Sequence, residues 1–313
     1  MADPDLESSD VGTRKKVERV VSANTSVWQR LAEIWRSREL LVYLVRTEIK
    51  VKYKNSVLGL LWSMLSPAMT LAVYTLVFGV ALKSPIPHFV IFLFSGLLLW
   101  NFFSTGVLTA TGVVVNNAGL VKKVSFPREI LALAAIGSAG VFFFFQACVM
   151  AIFMIALHMA PDWQLIWLVA VAIVPTIVFA SALGIFFASA NVYLRDTLHL
   201  VTVLVGAAWF WACPIVYSYQ HTAAAGLHKY GITWLYFLNP MTPVVMTFQR
   251  VLYNRPGMVK GATVAHTPVQ VLPSWPITTY VWADAAVLGV SLVLLYLAMV
   301  VFGRLAGNFA EEL

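Results

Sequence analysis

The sequence predicts an all-α polytopic membrane protein with six transmembrane helices. Of its 313 residues, 60% are hydrophobic and only 11% are charged, whereas soluble domains typically carry about 25% charged residues. The charges are also clustered, and each uncharged tract between the clusters is long enough for a helical span of roughly 20 residues. We place the spans at residues 57–82, 89–114, 130–157, 165–190, 198–219 and 284–303.

The basic residues predict the orientation of these spans. With an even number of spans both termini lie on one side, and 16 of the 21 Lys and Arg residues fall on that side or in the two loops that return to it. Cytoplasmic segments are enriched in Lys and Arg. We therefore expect both termini in the cytoplasm, with residues 305–313 as a C-terminal tail. The net charge of +7 is explained by this topology and needs no nucleic-acid partner.

The N-terminal region divides into two parts. Residues 1–25 are polar and charge-mixed, so we expect a disordered cytoplasmic tail, and the first apolar run begins too late for a cleavable signal peptide. Residues 26–56 alternate apolar and charged positions at helical spacing, which predicts an amphipathic interface helix. Its basic stripe would face anionic headgroups through Arg46, Lys50 and Lys54. An ordinary juxtamembrane anchor explains the pattern equally well.

The outer segment, residues 220–283, contains two apolar runs that are too short to cross a membrane. Ile232–Leu238 and Val244–Leu252 are separated by the pair Asn239-Pro240. Such runs are typical of re-entrant or interfacial helices, and irregular backbone at membrane depth is tolerated where protein buries it or where it lines a wet cavity. Two amphipathic helices that rest on the outer surface are an equal alternative.

The cytoplasmic loop at residues 116–129 places apolar residues between basic ones. Its sequence, NNAGLVKKVSFPRE, predicts a short amphipathic helix at about 117–128. The apolar side chains that would meet a cytoplasmic partner are Leu120, Val121, Val124 and Phe126. A loop that lies on the membrane surface is the alternative. The other cytoplasmic loop is shorter and carries Arg195 and Asp196.

The residues that enzymes and ion-coupled transporters need are scarce. No span has an Asp or Glu near its centre, with Asp284 at a span edge, whereas secondary transporters normally keep ionisable groups there. The six histidines lack metal-ligand spacing, the two cysteines lie in spans, and there is no GxxxxGK[ST] loop. The sequence therefore predicts a transport subunit and not an enzyme. We expect no cofactor or metal in this chain and an energy supply from a partner.

Aromatic residues crowd the first, second and fifth spans. The members of this group are Tyr74, Phe78, Trp100, Trp209, Phe210 and Trp211. Aromatic belts at the membrane interfaces explain Trp and Tyr near span ends, but residues 209–211 lie in mid-span. Because aromatic faces stack on the apolar faces of sugar rings, a channel lined in this way can pass a glycan.

Five stretches of the sequence are together similar to a known family. They are RTEIKVKYKNSVLGLLWSMLSP at 46–67, NAGLVKKVSFPREIL at 117–131, NVYLRD at 191–196, CPIVYS at 213–218 and LNPMTP at 238–243. In their order and spacing they resemble the membrane subunits of ABC-2 type polysaccharide exporters, which transport O-antigen, teichoic acid and related lipid-linked glycans. No single stretch is specific for that family, and the resemblance rests on their combination.

The resemblance implies a six-span permease of the plasma (inner) membrane that works as a homodimer with two copies of a cytoplasmic ABC ATPase. ATP and Mg would be bound by that ATPase, and the transported molecule would be a lipid-linked glycan drawn from the membrane. No nucleic acid would take part. A teichoic acid, an O-antigen and a cell-wall galactan all fit, so the glycan itself stays open.

The resemblance also implies roles for particular residues. The segment before the first span would flank the opening for the lipid anchor, and its headgroup contacts would be Arg46, Lys50, Lys52, Tyr53 and Lys54. The 117–128 stretch would be the coupling helix that docks on the ATPase through its apolar side chains, with Arg195 and Asp196 close by. The short external runs would form gate helices around Asn239 and Pro240. The aromatic group of the spans would line the glycan path.

Three other functions stay open at this point. An ABC-2 permease for a drug or a small lipid shares the same features, although the mid-span aromatic residues and the short external runs favour a glycan. A membrane enzyme that acts on polyprenyl-linked glycolipids would need a carboxylate or histidine cluster at the membrane surface, and the sequence has none. A secondary transporter is disfavoured by the missing mid-span charges.

Overall fold

A computed structural model describes residues 27–52, 54, 56, 59–219, 229–254, 258–264 and 267–313 of the protein. The predicted disordered tail, residues 1–25, and the predicted headgroup contact Tyr53 lie outside the described residues.

Helices form most of the described chain. They are α1 (Val27–Arg36), α2 (Arg38–Lys52), α3 (Trp62–Tyr74), α4 (Phe89–Asn116), α5 (Ala118–Lys123), α6 (Glu129–Ala156), α7 (Trp167–Tyr193), α8 (Thr197–Val203), α9 (Thr233–Tyr236), α10 (Met241–Leu252), α11 (Ile277–Leu305) and α12 (Phe309–Glu312). Two π-helical segments, Thr75–Ala81 and Leu204–Trp209, continue α3 and α8. Strands β1 (Met258–Val264) and β2 (Thr267–Gln270) form an antiparallel hairpin, which the sequence analysis did not predict.

The prediction of a multi-pass helical membrane protein is confirmed. Within the described residues, five helical stretches are long and apolar enough to cross a membrane: Met64–Ala81, Phe89–Asn116, Glu129–Ala156, Trp167–Tyr193 and Ile277–Asn308. The fifth predicted span, 198–219, is a shorter apolar helix at Thr197–Trp209. The chain leaves regular helix soon after it, in the turns around Pro214, whose ring cannot continue a helix.

The last span starts earlier than predicted. Pro276 precedes the first helical residue of α11 at Ile277, because proline is compatible with a helix start and not with its interior. Asp284 therefore lies two turns inside the helix and is fully buried. The expectation that Asp284 marks a span edge is wrong.

Helix α4 is the centre of the bundle and α3 lies at its periphery. In α4, 78% of the most apolar stretch is buried within the protein, whereas in the span Met64–Ala81, which contains most of α3, only 6% is buried. α4 packs against α6, α7 and α10, and α7 also packs along α11. The α4–α7 approach is close, because a Cβ added at Gly184 would lie 2.8 Å from the Ala110 Cβ. A small residue at position 184 therefore sets the distance between these two helices.

Helix α2 runs along α6 in the same direction. The Ser138 hydroxyl donates a 2.8 Å hydrogen bond to the Glu48 carboxylate, and one turn later in both helices the Lys52 Nζ lies 4.4 Å from the centroid of the Phe142 ring. These contacts advance together along both helices. Helix α2 therefore packs along α6 over at least one turn.

Helix α10 lies inside the bundle and not on the outer surface. Ten of its 12 residues are buried, among α4, α7 and α11. The Gln249 amide donates a 2.9 Å hydrogen bond to the Pro214 carbonyl, and Arg250 pairs with Asp162 at 3.5 Å. The structure thus favours burial for the second short external run. The first run forms only the single turn α9, where Trp234 is exposed.

Candidate functional site

A polar cleft opens among α2, α3, α4 and α6. Its volume is about 410 Å³, and two apolar side chains, Trp62 and Phe142, form part of its wall. The polar residues that line it are Lys52, Ser56, Ser66, Thr70, Asn101, Thr105 and Gln146. Polar side chains within spans are costly in lipid and typically mark a functional cavity, so we consider this cleft the candidate site.

The two amides of the cleft lie far from the ends of their helices. Asn101 and Gln146 both fall in the middle third of 28-residue helices, α4 and α6. The Asn101 Nδ2 donates a 3.3 Å hydrogen bond to the Gln146 Oε1. Gln146 is 8% exposed, so the pair is held among packed helices and turned towards the cavity. Neither residue was predicted from the sequence, since two neutral amides 45 positions apart form no local pattern.

Lys52 brings a positive charge to the edge of the cleft. Its ammonium lies over the Phe142 ring, and Phe142 is 13 residues after Glu129, about 20 Å along α6 at 1.5 Å per residue. Burial lowers the pKa of Lys52, an effect partly offset by the nearby Glu48 carboxylate. Of the predicted headgroup residues that the structure describes, Lys52 is the one that lines the cleft. Like Arg46, Lys50 and Lys54, it is exposed.

The predicted aromatic residues form one connected cluster. Tyr74 stacks on Phe210 with ring centroids 6.0 Å apart, and Phe210 contacts Trp100 at 5.8 Å and Trp211 at 5.3 Å. Phe78 reaches Trp211 at 6.4 Å. Trp100 and Phe210 are buried, whereas half of Trp211 is exposed. The cluster joins the first, second and fifth predicted spans and offers Trp211 at its surface.

Trp209 connects this cluster to the external segment. Its ring contacts Phe103 of α4 at 5.4 Å, and its indole N–H donates a 2.7 Å hydrogen bond to the Asn239 Oδ1. The same oxygen accepts a 3.0 Å bond from the Met241 backbone N–H at the start of α10. The structure therefore brings together two groups that the sequence treats separately. Pro240 follows directly and precedes the first residue of α10.

Helix α5 is the short helix that the loop pattern predicts. Val121 is buried within the protein and Leu120 and Phe126 are partly buried, whereas Val124 is 50% exposed. Lys122 and Lys123 are exposed beside it. The C-terminal helix α12 packs on α5. Val124 and the two lysines are therefore accessible at the C-terminal end of α5.

The second predicted docking loop is also accessible. Arg195 and Asp196 lie between α7 and α8, and both are exposed. A hydrogen bond stabilises this loop, because the Leu198 backbone N–H in α8 donates to the Asn191 side-chain oxygen in α7 at 3.2 Å.

A buried ion pair between α1 and the start of α6 was not predicted. The Arg30 Nη1 lies 2.8 Å from the Glu129 Oε1, and the Arg30 Nη2 donates a 3.4 Å hydrogen bond to the Gly303 carbonyl. The next residue, Arg128, donates to the Ala306 carbonyl. These contacts tie α1 to the start of α6 and the end of α11. The partners are distant in sequence, so no local spacing could reveal them.

Together these features define a multi-pass helical membrane protein with a polar cleft among its helices and a basic loop between α4 and α6. The chain belongs to the ABC-2 type transporter family, whose family model matches residues 39–253. That range runs from the second residue of α2 to the residue after α10, and it includes the cleft, the aromatic cluster and α5.

Several curated relatives are similar over most of this chain. An O-antigen export system permease protein RfbA of Myxococcus xanthus is 32% identical over 225 residues, which cover 71% of this chain and 83% of that protein. Two proteins of the same name from Klebsiella pneumoniae are each 26% identical over 216 residues, 69% of this chain and 81% of each relative. The expected resemblance to the membrane subunits of polysaccharide exporters is confirmed.

Proposed function

We propose that this chain is the permease subunit of an ATP-driven exporter that moves a lipid-linked polysaccharide across the plasma (inner) membrane. The observation that carries the proposal is similarity to O-antigen export permeases over 81–83% of their length. The polar cleft supports it, because a permease for an amphiphilic glycolipid needs polar surface within its spans. ATP hydrolysis belongs to a separate ATPase chain, which binds ATP and Mg.

The proposed topology has six spans, with Thr197–Trp209 as part of the fifth, and both termini in the cytoplasm. The distribution of basic residues supports this orientation. We propose a homodimer bound to two ATPase copies. The resemblance to the membrane subunits of polysaccharide exporters supports this assembly.

The proposed roles of the basic residues follow from their exposure and depth. Arg46, Lys50 and Lys54 recur at one-turn spacing and would meet phospholipid or substrate phosphates at the membrane surface. Lys52 lies at the cleft itself. A lipid-linked substrate would reach the cleft by passing this basic side of α2.

Energy would reach the permease through α5. Val124 and the neighbouring lysines would dock on the ATPase, with Arg195 and Asp196 as a second contact. Val121 and Leu120 would act from within, because they pack α5 onto the rest of the chain. The aromatic cluster would border the glycan path, and the Trp209–Asn239 bond would hold α10 as an outer gate.

Copurification with an ATPase tests the proposal. Affinity-tagged protein from native membranes should carry a P-loop ATPase at a fixed ratio, with vanadate-sensitive ATP hydrolysis. Val124→Asp should reduce ATPase recovery. The control is Val42→Asp, which changes an exposed valine of α2. Val80 is also exposed, but Val80→Asp would place a charge in the first span and is expected to insert poorly. A chain that is stable and pure without any ATPase would contradict the proposal.

A further inference from the structure

The amides in the cleft have hydrogen-bonding capacity to spare. The Asn101 Nδ2 and the Gln146 Oε1 are bonded to each other, which leaves the Asn101 oxygen and the Gln146 NH₂ group as an acceptor and a donor beside the cavity. Both residues line the cleft. An unpaired amide at membrane depth costs free energy unless a ligand or water satisfies it, so the pair is suited to a ligand with hydroxyl groups.

The hydroxyls across the cleft add acceptors. Thr70 in α3 donates its own proton to the Ser66 carbonyl at 3.2 Å, so its oxygen faces the cavity with free lone pairs. Thr105 lies one helical turn from Asn101 on the same face of α4. A sugar ring offers donors and acceptors on neighbouring carbons, and this mixture of neutral groups matches that pattern.

The charge at the cleft is positive. Lys52 lines the cavity, and none of the described residues that line it with Lys52 is an Asp or a Glu. Glu48, one turn before Lys52, is engaged by the Ser138 hydroxyl. A phosphate next to the sugar would therefore meet a cation without facing a carboxylate in the cleft.

The size and walls of the cleft limit the ligand. A volume of about 410 Å³ lies within the roughly 300–1,000 Å³ of small-molecule sites, which suits one sugar with its phosphates and not a polymer. Trp62 and Phe142 supply apolar walls, and the outer side of α3 is scarcely covered. A lipid tail can thus stay in the membrane while its head occupies the cavity.

We infer that this cleft binds the phosphate–sugar junction of a lipid-linked saccharide, with Asn101 and Gln146 bound to hydroxyls of the first sugar and Lys52 beside the phosphate. The inference rests on the proposed function for the lipid-linked nature of the ligand. Beyond that function, it assigns the binding site to the cleft, the recognised part of the ligand to the phosphate–sugar junction, and the selection of a sugar to Asn101 and Gln146.

Binding to the full chain in nanodiscs tests this inference. The probes are a polyprenyl diphosphate that carries one hexose, the same polyprenyl diphosphate without sugar, and phosphatidylglycerol. The variants are Asn101→Leu/Gln146→Leu and Lys52→Gln. Ser291→Ala is the control, because its hydroxyl is buried in α11 and bonds only to its own helix. Dissociation constants are measured for each pair, and thermal unfolding verifies that each variant is folded.

The amide variant should bind the hexose-bearing lipid about tenfold more weakly, as expected for two lost hydrogen bonds, and the sugar-free lipid unchanged. Lys52→Gln should weaken both diphosphates, and Ser291→Ala neither. If the amide variant bound the hexose-bearing lipid like the wild type, the inference would fail while the proposed function stood. Equal binding of phosphatidylglycerol would also overturn it. Wild-type protein that binds neither diphosphate would contradict the proposed function as well.

Discussion

The Trp209 indole N–H and the Asn239 side-chain oxygen are joined by a 2.7 Å hydrogen bond. Trp209 ends a π-helical segment, and Asn239 precedes the buried helix α10. The Asn239 Nδ2 also reaches the Ala212 carbonyl at 3.3 Å. One side chain therefore holds the end of the Thr197–Trp209 helix against the start of α10.

Replacement of Asn239 should loosen this junction. Asn239→Ala leaves the indole N–H and the Met241 N–H without their shared acceptor, at a cost of about 1–3 kcal/mol. Thermal unfolding in detergent measures it. A double-mutant cycle with Trp209→Phe gives the interaction free energy between the two side chains, which we expect to be about 0.5–3 kcal/mol for residues in contact. Strictly additive effects of the two variants would show that the bond contributes nothing.

The close approach of α4 and α7 predicts opposite effects for two glycine substitutions. Gly184→Ala places a methyl group 2.8 Å from the Ala110 Cβ and 3.2 Å from the Ile136 Cδ1, and overpacking of this kind costs about 1–3 kcal/mol. Gly289→Ala in α11 meets nothing within 4 Å and should gain about 0.5–1 kcal/mol of helix stability. The melting temperatures of the two variants should move in opposite directions. A Gly184→Ala protein as stable as the wild type would refute the tight α4–α7 contact.

The half-buried Glu48 carboxylate predicts a pH-dependent stability. Burial raises its pKa above the ordinary 4.5, against smaller opposing effects of the Ser138 hydrogen bond and Lys52. Because the folded chain holds the proton more tightly, Glu48 favours folding below the unfolded pKa, and this contribution is lost as pH rises through the raised folded pKa. Glu48→Gln, which is neutral throughout, should therefore melt higher than the wild type at pH 7–8, with a difference that shrinks towards pH 4.5.

The control for this comparison is Glu39→Gln, an exposed carboxylate on the same helix. Its melting curve should follow the wild type across the same pH range. A Glu48→Gln protein that melted lower at every pH would mean that the attraction to Lys52 outweighs the cost of burial.

The Arg30–Glu129 pair predicts a large loss from removal of one partner. Glu129→Gln or Arg30→Met leaves a buried charge uncompensated, which typically costs about 3–5 kcal/mol. Arg30→Met/Glu129→Leu should cost less than the two single changes combined. Chemical or thermal unfolding of the three variants measures this. Single variants within about 0.5 kcal/mol of the wild type would show that the pair is not held in the folded protein.

Much of the fold could be predicted from local sequence. Uncharged tracts identify the spans because every backbone group in lipid must be paired within its own helix, and the loop pattern located α5. The position of Asn239 between the two external runs also identified a junction that the structure shows. Local patterns predicted a helix correctly wherever its contact with lipid or water, and not with a residue distant in the sequence, determined its position.

The remainder depended on contacts between distant residues. The packing of α2 depends on Ser138 and Phe142 of α6, and the burial of α10 depends on its packing against α4, α7 and α11. The cleft exists only because Asn101 and Gln146 face each other across two helices. Such pairings carry no periodic signal, so the sequence could supply a resemblance to glycan exporters but not the cavity.

The central claim is ATP-driven export of a lipid-linked glycan, and reconstitution tests it most directly. The chain and its copurified ATPase are placed in proteoliposomes with a fluorescent polyprenyl diphosphate-linked oligosaccharide, and access of an added glycosidase from one side is followed over time. The account predicts that ATP moves the glycan across the membrane and that vanadate or the Asn101→Leu/Gln146→Leu variant slows this movement. Movement at the same rate without ATP, or no movement of any lipid-linked glycan by an active ATPase complex, would contradict it.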